Sequence, residues 1–173
     1  IEKYGGGSVR CMMAEVFLPK KNSESSFFIT EPKTPADFEE YFRLRWRVLR
    51  EPWNQPPGSE RDEMEASSKH CMAVDGTGKI IGVGRIQLND EHTAQVRYMA
   101  VDPAFAGMGI GKKLMTEMEN YVRSSGRNRI FLQAREQAIG FYLSLGYRLI
   151  EKSYLLFDSI QHYAMEKEFI DVK

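Results

Sequence analysis

The 173-residue sequence carries no excess charge of either sign: 24 Lys and Arg stand against 24 Asp and Glu, a formal net charge of zero. A general nucleic-acid binder shows a basic excess or stripe, so no nucleic-acid partner is expected. Cysteine is nearly missing. Cys11 and Cys71 are too few for a disulfide scaffold or a Cys-x-x-Cys metal site. They read as reduced, packed thiols of a cytoplasmic protein, and no metal is expected. No apolar run approaches the ~18 residues of a membrane span, so no membrane partner is expected. Residues 1–10 lack the basic-then-apolar layout of a signal peptide. The first residue, Ile1, reads as the start of a fragment or processed form. What is present is a chain 42% hydrophobic, which excludes an acidic disordered chain. Its length suits one domain able to bury a core without disulfides.

Punctuation divides the chain into an extension over 1–26 and a domain over 27–173. Gly5-Gly6-Gly7-Ser8 reads as a linker, and 12–18 as an apolar strand or short helix of unassigned role. In the domain, 27–29 reads as a strand. Thr34, Pro35 and Asp37 then read as the cap, first position and capping-box acid of a helix that stops before Pro52. A second short helix is expected over 59–65, capped by Ser59 and Asp62. Strands follow at 70–74, 80–88 and 93–101, the first two joined by the turn Asp75-Gly76-Thr77-Gly78. Ile110, Leu114, Met118, Tyr121 and Val122 lie on one face of a helix over 109–125. A strand at 130–132, a short helix ending at Gly146, and strands at 147–150, 154–157 and 163–166 complete the pattern. The sum is a mixed, mostly antiparallel α/β sheet with a right-handed parallel crossover between 93 and 133.

Between the strand at 93–101 and the next helix lies a loop with Gly107, Gly109 and Gly111. Glycines there let backbone N–H groups turn toward one point, and the helix start adds its own free N–H groups and positive dipole end. This suits phosphate or pyrophosphate, with charge from Lys112 or Lys113. It is not a Walker A loop: the first glycine falls on Ala106 and the hydroxyl position on Lys113. Nor is it a dinucleotide fingerprint, whose third glycine falls on Lys112 or Leu114.

The stretch from Gln95 to Pro103, followed by Gly107-Met108-Gly109-Ile110-Gly111, resembles motif A of the GNAT superfamily of N-acetyltransferases. Leu132-Gln133-Ala134-Arg135 and Ala138 to Tyr147, with its Phe-Tyr-x-x-x-Gly-Tyr, look like motif B. His162 to Lys167 is similar to the closing strand of many bacterial members. The resemblance covers about residues 27–169. It implies a sheet with a splayed parallel pair, about four flanking helices, and acetyl-CoA as acyl donor. It implies that Met99, Ala100 and Val101 offer backbone groups to the pantetheine and thioester. Residues Gly107, Met108, Gly109, Ile110, Gly111 and Lys112 would hold the pyrophosphate. It implies transfer of an acetyl group to a primary amine of a small molecule or peptide. The alternative is a non-catalytic acyl-CoA-binding or sensor module. Ala106 stands where the family often has Gln or Arg, and Gln95 stands where some members have a basic Glu.

Tyr142 matches the family's general acid, a phenol suited to protonating a leaving thiolate. Its helical spacing with Ala138 and Phe141 equally describes a core aromatic. The base is left open among Glu91, His92, His70, His162 and water. By the same resemblance the first helix and the following loop wall the acceptor site, which makes Arg45 and Trp53 the acceptor-side candidates. Arg45 falls on an otherwise apolar stripe of Phe38, Phe42 and Leu49. It either organises the site, binds a carboxylate, or snorkels to solvent. Asp62 and Glu63 read as a helix start or as an attraction for a cationic amine. A homodimer stays open.

Overall fold

The computed structural model describes residues 26–169. The linker at 5–8, the apolar stretch at 12–18 and Cys11 lie outside the described residues.

One seven-stranded sheet organises the chain. The elements are β1 (Phe27–Thr30), α1 (Pro35–Leu49), β2 (Lys69–Asp75), β3 (Ile80–Leu88), β4 (Thr93–Val101), α2 (Ile110–Ser124), β5 (Arg129–Arg135), α3 (Ile139–Ser144), β6 (Arg148–Leu156) and β7 (Ile160–Glu168). The spatial order is β1-β2-β3-β4-β5-β7-β6, and only β4 and β5 run parallel. The mixed sheet is as expected, with three α-helices among the described residues instead of about four.

The helix expected over 59–65 is a turn followed by a short 3-10 helix, Glu65–Ser67. Its intended caps are occupied elsewhere. The Ser59 hydroxyl donates back to the Pro56 carbonyl at 2.6 Å, and Asp62 is drawn to Arg85. Helix α1 starts as its sequence dictates: Asp37 N–H donates to Thr34 Oγ1 at 3.1 Å, and Thr34 N–H to Asp37 Oδ2 at 2.9 Å. The strands expected at 147–150 and 154–157 are one strand, β6. Its ladder with β7 slips twice, and the slips sit in the polar stretch that looked like a break.

The two long helices cover opposite faces. Alternation along β2 sends Ala73 toward α2, and Met72 and Val74 toward α1. Helix α2 buries Ile110, Leu114, Met115, Met118 and Val122 against Ile81, Val96, Leu132 and Met165. Helix α1 buries Tyr41, Phe42, Leu44 and Leu49 against Val83 and Ala100. Among the described residues no helix is long and apolar enough to cross a membrane.

Candidate active site

Strands β4 and β5 pair over only four residues each, from Thr93 with Arg129 to Val96 with Leu132. Beyond Val96 the β4 edge at 97–101 has no strand partner on the β5 side. A bulge marks the parting. Arg85 pairs with Arg97 but Val83 pairs with Ala100, so Gly84 faces both Tyr98 and Met99. Tyr98 takes a left-handed φ of 53°, which is uncommon for a bulky side chain. The sheet is close-packed opposite: a Cβ on Gly84 would lie 3.1 Å from both Met118 Cε and Met99 Sδ, so these side-chain ends would have to give by a few tenths of an ångström. The bulge is held from the α1 side. Tyr41 Oη donates to the Gly84 carbonyl at 2.8 Å and accepts from Arg45 Nη2 at 3.1 Å.

The parting opens a cavity of about 490 Å³, a size suited to a small-molecule site. Met99, Ala100 and Val101 form its β4 wall, and Gln133, Ala134 and Arg135 its β5 wall. Ala138 and Tyr142 close it from α3, Leu49 and Arg50 from the end of α1, and Tyr154 and His162 from the last hairpin. No Asp or Glu is among its lining residues.

After Val101 the chain makes a short turn capped by Asp102, whose carboxylate accepts from Ala104 N–H at 3.1 Å. The same carboxylate pairs with Arg47 at 2.8 Å and Lys79 at 3.1 Å. Gly107 and Gly109 follow with φ near 79° and 78°, conformations that glycine adopts without strain. The bond Lys113 N–H to Gly109 O, 3.0 Å, opens the α2 ladder. The N–H groups of Ile110, Gly111 and Lys112 therefore have no acceptor inside the helix. Ile110 is buried, Lys112 is exposed, and Met108 packs at the edge of the α2 core. At Gly111 a Cβ would sit 3.1 Å from Phe141 Cζ, so glycine lets α3 approach α2.

Tyr142 belongs to the α2-side core, as its spacing suggests, and also lines the cavity. Phe141 and Tyr147 meet its ring edge-on at 5.0 and 5.8 Å. Among the described residues no hydrogen bond takes its hydroxyl. Burial pushes the phenol above its ordinary value of 10, so it stays protonated at neutral pH.

Arg45 does not line the cavity. It is fully buried, which removes the snorkelling alternative. Its Nη1 donates to Glu65 Oε1 at 2.8 Å and to the Glu60 carbonyl at 3.0 Å. Arg85, equally buried, shares the same Glu65 oxygen at 2.8 Å and holds Asp62 Oδ2 at 2.9 Å. Asp62 is thus an ion-pair partner and not a helix cap. Burial alone would raise its carboxyl, but hydrogen bonds from Arg85 and Met64 N–H bring it to about 2. Trp53 also stands outside the cavity lining, and its ring carries the Arg135 guanidinium at 4.5 Å.

Sequence reasoning did not single out Arg50, Arg85, Gln133 or Arg135. His162 was one base candidate among several. It lies opposite Arg135 across the β5–β7 ladder and stacks on Tyr154 with ring centroids 4.6 Å apart. Its Nδ1 lies 3.0 Å from the Ile160 carbonyl, so the neutral ring carries its proton there and leaves Nε2 as an acceptor. Burial, then the charges of Arg135 and Arg50, hold His162 below its ordinary 6.5. A strand register would have found this pairing; composition does not contain it. Among the described residues no three His, Cys, Asp or Glu side chains converge as a metal site.

Residues 38–147 match the family model described as acetyltransferase (GNAT) family. The chain is 29% identical over 136 residues to the uncharacterized N-acetyltransferase YjcF of Bacillus subtilis (strain 168), covering 79% of this chain and 96% of that protein. Its fold matches an aminoglycoside 6'-N-acetyltransferase solved with coenzyme A, with TM-score 0.71 and 17% identity, over 84% of this chain and 99% of that one. An acyl-CoA N-acyltransferase from Pseudomonas aeruginosa superposes with TM-score 0.69 and 20% identity, over 82% and 98% of the two chains.

Proposed function

Since the chain belongs to the acetyltransferase (GNAT) family, an acyl-CoA-dependent class of N-acyltransferases, we propose how its own residues move an acetyl group to a primary amine. Acetyl-CoA supplies an activated acyl thioester. The residues present fit it. The β5-facing edge of β4 at Met99, Ala100 and Val101, unpaired on that side among the described residues, offers backbone groups to an extended pantetheine chain. The glycine loop leads into the start of α2, where the N–H groups of Ile110, Gly111 and Lys112 and a positive dipole end face the pyrophosphate. Absence of a Gln or Arg at Ala106 leaves that cradle to the backbone.

The observation that carries the reading is Tyr142, a residue of the cavity lining whose phenol burial keeps protonated and whose hydroxyl has no hydrogen bond among the described residues. It acts as the general acid that gives its proton to the leaving thiolate. Backbone N–H near Met99 stabilises charge developing on the carbonyl oxygen. For the base, His162 is the imidazole of the cavity lining, held below its ordinary 6.5 and so neutral at pH 7, with Nε2 left to accept the amine proton. The Glu position of some family members is Gln95, which lines the cavity but takes no proton.

The test is CoA release with a panel of amines, for wild type and Tyr142→Phe. The variant is expected to lose about 100-fold or more in kcat while binding acetyl-CoA normally. His162→Gln is expected to remove an acid limb lying below pH 6.5, because the depressed imidazole is neutral above that value. Binding of acetyl-CoA without acetylation of any amine would make the chain a sensor instead.

A further inference from the structure

The acceptor end of the cavity carries unmatched positive charge. Arg50 and Arg135 both line it, and neither has a carboxylate partner among the described residues. They converge on one acceptor: Arg50 Nη1 donates to the Leu49 carbonyl at 2.9 Å, and Arg135 Nη2 to the same oxygen at 3.3 Å. That carbonyl ends α1, whose negative dipole end helps two like charges to sit together. Aromatic rings back both guanidiniums, Trp53 behind Arg135 at 4.5 Å and Tyr98 and Phe157 beside Arg50 at 5.6 and 5.5 Å. The carboxylate whose charge reaches Arg50, Glu60, is already engaged by Arg61 at 3.0 Å and Gly58 N–H at 2.7 Å. Arg97, the third arginine of the lining, has Asp62 at 3.5 Å, a carboxylate that Arg85 also holds.

One further group, Gln133, completes the site. Burial lowers both Arg50 and Arg135, with the charge of Arg50 contributing at Arg135, yet a guanidinium stays charged throughout the working pH range. Gln133 also lines the cavity, and its Oε1 is buried with no hydrogen-bond partner among the described residues. A buried acceptor of this kind is costly unless a donor arrives. An amine N–H is such a donor, and an anion is what the two guanidiniums lack.

We propose that the acceptor is a primary amine that carries an anionic group, carboxylate or phosphate, with Arg50 and Arg135 receiving the anion and Gln133 the amine. The proposal rests on the transferase reading and narrows its substrate class. A purely cationic polyamine is excluded by the same charges. The cationic surroundings also favour the unprotonated amine, the form that attacks the thioester.

The test uses matched amines on the full chain with saturating acetyl-CoA. The pairs are β-alanine with β-alaninamide, and O-phosphoethanolamine with ethanolamine; 1,3-diaminopropane is the cationic control. The anionic member of at least one pair is expected to exceed its neutral match about 10- to 100-fold in kcat/KM. The carboxylate and phosphate arms show which anion is preferred. Arg135→Gln and Arg50→Gln are expected to collapse that ratio toward one, with Arg135→Lys restoring part of it. Circular dichroism and acetyl-CoA binding check that each variant is folded. Calorimetry of the same amines on the CoA-loaded protein supplies a readout independent of turnover. Arginine-dependent binding of an anionic amine without acetylation would support this inference and overturn the transferase reading. Efficient acetylation of the neutral or dicationic amines, or absence of anionic-amine binding at millimolar concentration, would overturn this inference and spare the other.

Discussion

The two faces of the sheet are built on opposite terms. Against α2 the interface is apolar: Ile110, Leu114, Met115 and Met118 are each at most 1% exposed and meet Ile81, Val96 and Leu132. Against α1 the sheet buries two arginines completely, together with Glu60 and His70. The apolar face is satisfied by contact alone. The polar face demands a partner for every charge and does not fully obtain one: Arg45 Nε, Arg85 Nε, Glu65 Oε2 and His70 Nδ1 are buried without hydrogen bonds. Such a network is an expensive way to hold a helix, and a well-packed apolar replacement is often at least as stable. Its position is instructive. It supports Tyr41 and the Gly84 bulge, and hence the gap in the sheet, while the apolar face supports the helix whose N-terminus presents the glycine loop.

The largest break in this comparison is expected from Arg45→Ala. Removing the guanidinium leaves Glu65 with Arg85 as its one guanidinium partner and takes the donor from Tyr41 Oη, at a cost of about 3 kcal/mol or more in chemical denaturation. Because Tyr41 holds the bulge, the same variant should raise the acceptor KM. On the other face, Leu114→Ala is expected to cost about 3 kcal/mol from transfer and cavity terms. Its acceptor KM should match wild type, and a large change there would erase the distinction between faces. Smaller again is Gly109→Ala, which forces an alanine into a left-handed φ at about 1–2 kcal/mol. Its signature is weaker acetyl-CoA binding by calorimetry, with amine selectivity retained.

The smallest effect near neutral pH separates the faces by titration. Asp62 is held at about 2 in the folded protein against an ordinary 3.8, so its contribution to stability is complete above 3.8 and is lost as pH falls toward 2. Asp62→Asn should flatten that acid limb in urea titrations. Leu114→Ala should lower stability by a similar amount across the same pH range.

The sequence carried local features well. The Thr34–Asp37 capping box, the Asp75–Gly78 turn and the glycines before α2 are each decided within a few residues, so spacing alone predicts them. The α2 stripe is also legible, because a single apolar face suffices. What depended on distant pairing was hidden. Apart from Gln87, Arg85 sits in a strand of apolar and glycine residues, and nothing local announces that Asp62 and Glu65 come to meet it. The expected helix over 59–65 failed for the same reason, since tertiary ion pairing took its cap. Tyr142 and the β4 wall were marked by a family pattern. Arg50 and Arg135, 85 positions apart in the chain, are joined only by a carbonyl that both reach.

The single extra residue at Tyr98 also acts as a phase shift. Ala94 and Val96 belong to the α2 side, and plain alternation would send Tyr98 and Ala100 after them. Past the bulge the order is reversed: Met99 and Val101 join the α2 core, while Tyr98 and Ala100 join α1. The donor side of the gap is therefore lined by a thioether and a branched alkyl group, and the phenol is delivered to the arginines opposite. Excising one residue there would exchange the two sets without altering the composition of either wall by more than that residue. In this strand the chemistry of each wall is set by a count of residues, odd or even, as much as by which residues they are.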